Sequence, residues 1–412
     1  MLQNNSDSLN IGMILDGFYP SDIRVRKEAE SLSVKYKVHI LCVRNENELE
    51  YEEINGVSIH RKIFYKSFFE KGIVDILSSI NFIQPYFKKK LPNFIKENKI
   101  SFLHVHDLPL AKTGYKAAKK HHIKSILDLH ENYAGALETW FSWRKSSVIK
   151  YKNQLFFSPK RWQSYEDSIL KKFDKIIAVV EEMKSRITDI NADLEEKIQV
   201  VTNTEKIEFS NNFNAVSENY FKDFSNKFII SYVGGFGPHR GLHTAILGMK
   251  KVIQQVPNAL LVLIGPSNKD VRDYLQNIIV ENGLEEFVII KGSEPFHNVI
   301  GIMKNSQINI IPHVSNTHTE STIPHKLFQI LLSNKPLLVS NCKPLKRVVE
   351  ENDAGFVFEA GNPISFANEV EKIYSNYSKA MENAKNGYEK ALNGNLNWEH
   401  TSKSLVALYD NL

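Results

Sequence analysis

Cysteine is nearly absent: Cys42 and Cys342 are the only two in 412 residues. That leaves no disulfide framework and no zinc-ligand spacing, and it suits a reducing compartment. No uncharged apolar run approaches the ~20 residues needed to span a bilayer. The opening MLQNNSDSLN carries neither the basic region nor the apolar core of a secretory signal, so the expected location is cytoplasmic. No Asp-x-Asp occurs, which weakens a metal reading. No Gly-x-Gly-x-x-Gly follows the first strand pattern, which disfavours a nicotinamide oxidoreductase, and no Gly-Lys-Ser/Thr closes a Walker loop.

The length exceeds the ~250–300 residues at which one core stops growing, so two domains are expected. Charge is uneven within a net +5. Arg61–Asn98 holds eight Lys/Arg against three Asp/Glu, and Phe141–Lys172 holds eight against two. Both segments are rich in aromatics, among them Phe68, Phe69 and Phe87 in the first and Phe141, Trp143, Phe156, Phe157 and Trp162 in the second. Such surface suits the anionic inner face of a membrane, with Phe87 as a wedge beside Lys88, Lys89 and Lys90. Nucleic acid is a rival reading of the same segments. A solvated helix face above core aromatics is the plain one.

Short apolar runs alternate with helical patterns. Strands are expected at 11–15, 38–43, 57–63, 102–106, 125–129, 175–180 and 198–202, then at 228–233, 260–264, 288–291, 308–312, 337–339 and 356–358. Two such series predict two doubly wound α/β domains of Rossmann type, with ligands at the carboxyl ends of parallel strands. The expected division is 1–205, a polar linker at 206–226, 227–385, and a C-terminal helical segment at 386–412 that packs back toward the first domain.

YVGGFGPHRGL, Tyr232–Leu242, follows a strand and precedes a helix. Gly234, Gly235 and Gly237 allow close backbone approach, and Arg240 sits at the helix entry, suited to a phosphate. In ESTIPHKLFQILLSNKPLLVSNC, Ser321 or Thr322 is expected to cap a helix with Pro324 in its first turn. His325 and Lys326 then stand at a helix start, where a cation is unfavourable unless an anion joins it. His104 and His106 share one strand face. With Asp107 they suggest a metal site, but no further ligands have matching spacing.

Together GGFGPHRG and the IIPHVSNTHTESTIPHKLFQILLSNKPLLVS tail resemble the nucleotide-sugar half of a retaining family 4 glycosyltransferase of the GT-B fold. DGFYPSDIRVRKEAESLS, LHVHDLPL, SILDLHENY and VVTNTEKIEF resemble its first half. The resemblance implies transfer of a sugar from a nucleotide diphosphate donor to a hydroxyl acceptor on an envelope or lipid-linked glycan, with no metal and no nucleic acid. It implies that Arg240 and Lys326 hold the diphosphate and that His130 lies near the sugar. Gly234, Gly235, Glu320, Ser321, Thr322 and Gln329 fall in the donor site, and Asp22, Arg24 and His106 on the acceptor side. The family's pair of glutamates falls on Ser321 and Gln329, and its loop arginine on Gly235. An inactive nucleotide-sugar-binding subunit and a GT-B epimerase or phosphorylase therefore stay open beside the transferase.

Overall fold

The computed structural model describes residues 9–142, 155–211 and 219–412. Trp143 lies outside them, as does much of the second basic segment. The chain divides into two compact units, one running to Thr202 and resuming at Ser402–Leu412, the other spanning Asn203–Thr401.

The first unit carries β1 (Asn10–Phe18), β2 (Lys37–Val43), β3 (Tyr51–Ile54), β4 (Val57–Ile63), β5 (Ile100–His106), β6 (Lys124–Leu129), β7 (Lys175–Ala178) and β8 (Ile198–Val200). They form one sheet in the order β3-β4-β2-β1-β5-β6-β7-β8. Every pairing is parallel except β3 with β4. That hairpin turns through Asn55 and Gly56, both at positive φ, as a tight two-residue loop requires. β3 alternates half-buried and exposed residues, so its apolar signal is weak. The order reverses between β1 and β5, and at such a switch point the flanking loops part and leave a crevice.

The second unit carries β9 (Phe228–Val233), β10 (Ala259–Ile264), β11 (Val288–Lys291), β12 (Ile308–Ile311), β13 (Leu337–Ser340) and β14 (Phe356–Phe358), in the parallel order β11-β10-β9-β12-β13-β14. β10 reads ALLVLI and is buried throughout, as a strand covered on both faces must be. The switch point lies between β9 and β12, beside the glycine turn.

Part of the polar connection folds into this unit. Phe221 is buried against Ile229, Leu260, Val262, Ile264 and Ile302. Residue 386 falls inside the helix Tyr377–Leu392, and the last helix is Trp398–Asp410 after the Asn-Gly-Asn-Leu-Asn break.

Two local readings are corrected. The helix at Lys326–Leu331 begins later than expected and has no side-chain cap. The Ser321 and Thr322 hydroxyls donate instead to the carbonyls of Thr317 and His318, four residues back. Phe87 is fully buried, so it offers no wedge; within the first basic segment Phe68, Phe69, Ile73, Leu77 and Ile80 of the helix Phe68–Asn81 are exposed instead.

The final residues complete the first unit's core. Leu405, Leu408 and Tyr409 are buried, and the Tyr409 hydroxyl lies 2.6 Å from His104 Nδ1. Deleting Ser402–Leu412 should lower the first unit's stability by roughly 5 kcal/mol, at ~1.5–3 kcal/mol per buried apolar side chain. Urea unfolding should then show an early transition for that unit alone. An unchanged profile would mean that the segment is dispensable.

Candidate functional site

In the second unit the site gathers at the carboxyl ends of β9, β10 and β12. Gly234 leaves β9 at φ +141, and a Cβ there would overlap Lys326 Nζ. Gly241, at φ +64, passes so close to the Pro312 carbonyl that no side chain fits. The turn and the segment before Lys326 are thereby pressed together. An open cavity of about 360 Å³ lies against Gly235, Gly237, Arg240 and the Pro266–Asn268 loop.

Lys326 is the unusual group. Its Nζ is buried without a hydrogen-bond partner and sits 3.7 Å from the centroid of the Tyr232 ring. Burial, and then the nearby Arg240, hold its pKa well below the usual lysine value. Arg240 meets His313 Nε2 at 3.0 Å. Burial and these cations push His239 down to about 2 and His313 well below its ordinary value, so both imidazoles are neutral. Among the described residues no carboxylate forms an ion pair with Arg240 or Lys326. An ammonium beside a guanidinium, with no counter-charge, is a site built for an anion.

Nearby, Gln329 Nε2 donates to Glu205 Oε2 at 2.8 Å, and His325 Nε2 lies 3.1 Å from the same oxygen. Glu205 comes from the segment following β8, more than a hundred residues upstream, and no spacing rule pointed to it. Glu320 is tied down elsewhere: it accepts from the Ser315 hydroxyl at 2.6 Å and the Lys343 amide at 3.1 Å.

In the first unit the chemistry lies at the ends of β5 and β6. Asp128 is fully buried and receives the Arg24 guanidinium through two bonds, at 2.8 and 3.2 Å. Arg24 also bonds the Val201 carbonyl and pairs with Glu28 at 3.0 Å. Its fork is thus committed within the unit rather than offered to an acceptor. Asp22 caps the helix Ile23–Ser33 by accepting from the Val25 amide at 3.1 Å. His130 Nε2 lies 2.9 Å from Asp128, and Nδ1 lies 3.3 Å from Asp107. Burial opposes its charge, but the two carboxylates prevail and push its pKa up to about 10. His130 is therefore an imidazolium at neutral pH, a donor and not a base. Asp107 reaches it from a strained backbone, at φ 65.

The fold also supplies the further ligands that spacing did not show. Glu28, His104, His106 and Asp128 could present metal-ligating atoms within 4.8 Å of one another. Arg24 already supplies a positive charge among them.

Comparison with known proteins accounts for both halves. Residues 24–204 match the model for Glycosyltransferase Family 4, and residues 217–390 match Glycosyl transferases group 1. An uncharacterized glycosyltransferase of Methanocaldococcus jannaschii is 22% identical over 87% of this chain and 86% of its own. The capsular polysaccharide biosynthesis glycosyltransferase CapM of Staphylococcus aureus is 26% identical over 53% of this chain and 57% of its own. The chain belongs to the group 1, family 4 glycosyltransferases.

This glycosyltransferase has the GT-B fold. Sucrose-phosphate synthase from Thermosynechococcus elongatus superposes with a TM-score of 0.77 at 15% identity, covering 98% of each chain. HepE from Anabaena, in complex with UDP and glucose, superposes at 0.71 with 14% identity over 98% of this chain and 100% of its own.

The enzyme's buried ion network is open to a direct test. Arg24→Met takes the bidentate cation from Asp128, leaving it His130, and breaks the pair with Glu28, a change that costs about 3–5 kcal/mol for a broken buried pair. Urea denaturation should show that loss in the first unit. A variant as stable as the parent would mean that the carboxylates are neutralised by other groups.

Proposed function

We propose that the enzyme is a retaining glycosyltransferase that moves a sugar from a nucleotide diphosphate to a hydroxyl of an envelope glycan or lipid-linked acceptor. The observation that carries this reading is the uncompensated pair Arg240 and Lys326 at the glycine turn. A diphosphate supplies the anion that makes burying an ammonium there favourable. The solved HepE complex with UDP and glucose, and a trehalose-6-phosphate enzyme of E. coli bound with UDP-2-fluoro glucose, support a nucleotide-sugar donor. The capsule enzyme of Staphylococcus aureus supports an envelope role.

In this mechanism the bond between the anomeric carbon and the β-phosphate oxygen breaks, and its electron pair leaves with the nucleotide. The acceptor oxygen bonds the same face, and its proton passes to the departing phosphate oxygen. Arg240 and Lys326 stabilise the charge that develops there, which is electrostatic catalysis by preorganised groups. His130, its ring held by Asp107 and Asp128, is the residue that the resemblance places near the sugar. Gln329 meets the ribose as a neutral group, with Glu205 restoring a carboxylate beside it. Gly234 and Gly235 admit the phosphates to the backbone, while Ser321, Thr322 and Glu320 shape the sugar's surroundings.

Arg240→Ala and Lys326→Met should each cut turnover by orders of magnitude with the fold intact, and His130→Ala should lower turnover more than nucleotide affinity. Because burial depresses the free Lys326 pKa, an arriving diphosphate raises it. At a pH between the free and the bound values of Lys326, binding should therefore take up a proton, seen by calorimetry in buffers of different ionisation enthalpy and lost in Lys326→Met. Normal turnover in both cation variants would overturn the diphosphate reading.

The acceptor side meets an anionic membrane in this proposal. No described helix is long and apolar enough to cross a bilayer. The exposed face of Phe68–Asn81 and the exposed Lys88, Lys89 and Lys90 supply instead an apolar and a cationic signal, the two that stable peripheral binding needs. Flotation with liposomes should rise with anionic lipid and fall with salt. It should weaken when Phe68 and Phe69 become serine or Lys88–Lys90 become glutamate. Indifference to anionic liposomes at low salt would point to a soluble acceptor.

A further inference from the structure

Glu205, in the second unit, is a buried carboxylate, 4% exposed. Its backbone carbonyl accepts from the Trp398 amide at 2.8 Å, and the neighbouring Thr204 hydroxyl meets that of Thr401 at 2.9 Å, so the segment is anchored. Its Oε1 accepts from the Lys206 amide at 2.8 Å. Its Oε2 accepts from Gln329 Nε2 at 2.8 Å and lies 3.1 Å from His325 Nε2. Residues 325 and 329 are one helical turn apart, and side chains at that spacing share a face. One carboxylate oxygen therefore grips the turn that carries Lys326, in a six-residue helix that has no side-chain cap.

This contact decides which way the Gln329 amide faces. A carboxylate oxygen offers lone pairs only, so the Nε2 hydrogens point at Glu205 and Oε1 is turned away from it. Gln329 follows Lys326 by three residues on the same helix, a separation of ~5–6 Å between Cβ atoms. The ribose of a nucleotide is joined directly to the first phosphate, so a diphosphate held by Lys326 and Arg240 carries its ribose hydroxyls on the scale of that separation. There Oε1 accepts from a hydroxyl as a glutamate oxygen would. A glutamate at 329 could not do the same beside Glu205. It would set oxygen against oxygen where the bond now spans 2.8 Å, with no hydrogen between them.

We infer that Glu205 is a positioning residue of the donor site: it carries the negative charge in place of residue 329 and fixes the Gln329 amide so that its oxygen accepts from a ribose hydroxyl. Gln329 is then one half of a pair whose charge has moved to a distant segment, and the two positions are coupled. A return to glutamate at 329 alone harms the site, and exchange of both residues restores it. The inference rests on the nucleotide-sugar reading, which supplies the ribose.

The test uses calorimetry on the full chain with UDP, GDP, their 2′,3′-dideoxy forms and inorganic pyrophosphate. The parent should bind at least one nucleotide and lose roughly tenfold in affinity when the ribose hydroxyls are missing, as neutral hydrogen bonds allow. Glu205→Ala should lose most of that preference for ribose and bind pyrophosphate as the parent does, an outcome that a purely structural role would not give. Gln329→Glu should bind the nucleotide about tenfold more weakly or worse. The exchange Glu205→Gln, Gln329→Glu should recover most of that loss, because the amide then donates from position 205. Thermal unfolding checks each fold; should Glu205→Ala not fold, the variants at 329 decide. A parent indifferent to the ribose hydroxyls, a parent-like preference in Glu205→Ala, parent-like affinity in Gln329→Glu, or an exchange no better than the single change would overturn the inference and leave the donor reading in place. Should the parent bind neither nucleotide, the donor reading falls and this inference with it.

Discussion

Asp128 is the charge on which the first unit's active end depends. Its carboxylate sits at the end of a central strand with no exposure to solvent, a costly position unless cations and donors surround it. Arg24 arrives from the first helix, His106 from β5 and His130 from the residue following β6. Burial alone would raise the acid's pKa, yet Arg24 and His130 hold it well below the ordinary range. Each partner is in turn oriented by the acid. His130 is kept charged, and Arg24 is drawn inward away from any ligand. Glu28, beside the same cation, is pushed up to about 8 by burial despite Arg24.

The two units handle charge in opposite ways. The first closes its network on itself: at the ends of β5 and β6 acids and bases are matched within a few ångströms. At the second unit's site Arg240 and Lys326 have no carboxylate ion-pair partner among the described residues. Lys326 lies on the face of Tyr232, which softens but does not neutralise its charge. An unmatched cationic site suits a phosphate that brings its own charge and removes it on leaving.

Much of the fold was legible because parallel strands buried on both faces read as apolar runs. All but one strand fell near its expected place, and β10 shows why: ALLVLI admits no other reading once helices flank it. β3 was missed because YEEI carries little apolar signal and is held mainly by its hairpin. The Asn55-Gly56 pair was the available clue. Helix caps were less legible. Ser321 and Thr322 have the chemistry of caps, but a preceding turn claims their hydroxyls. Phe87 fits a wedge or a core equally well by sequence, and only packing put it inside.

By itself the sequence determined the two α/β series, the glycine turn, and the presence of Arg240, Lys326, His106 and His130 at element ends, since each follows from local pattern and spacing. Tertiary structure alone decided who their partners are. Glu205 reaches Gln329 across more than a hundred residues, and Asp128 collects Arg24 from as far away. Whether a charge is matched or left open depends on distance and burial, which strand order sets and linear spacing does not. Hence the same residue types gave a closed ion network at one switch point and an open cationic site at the other.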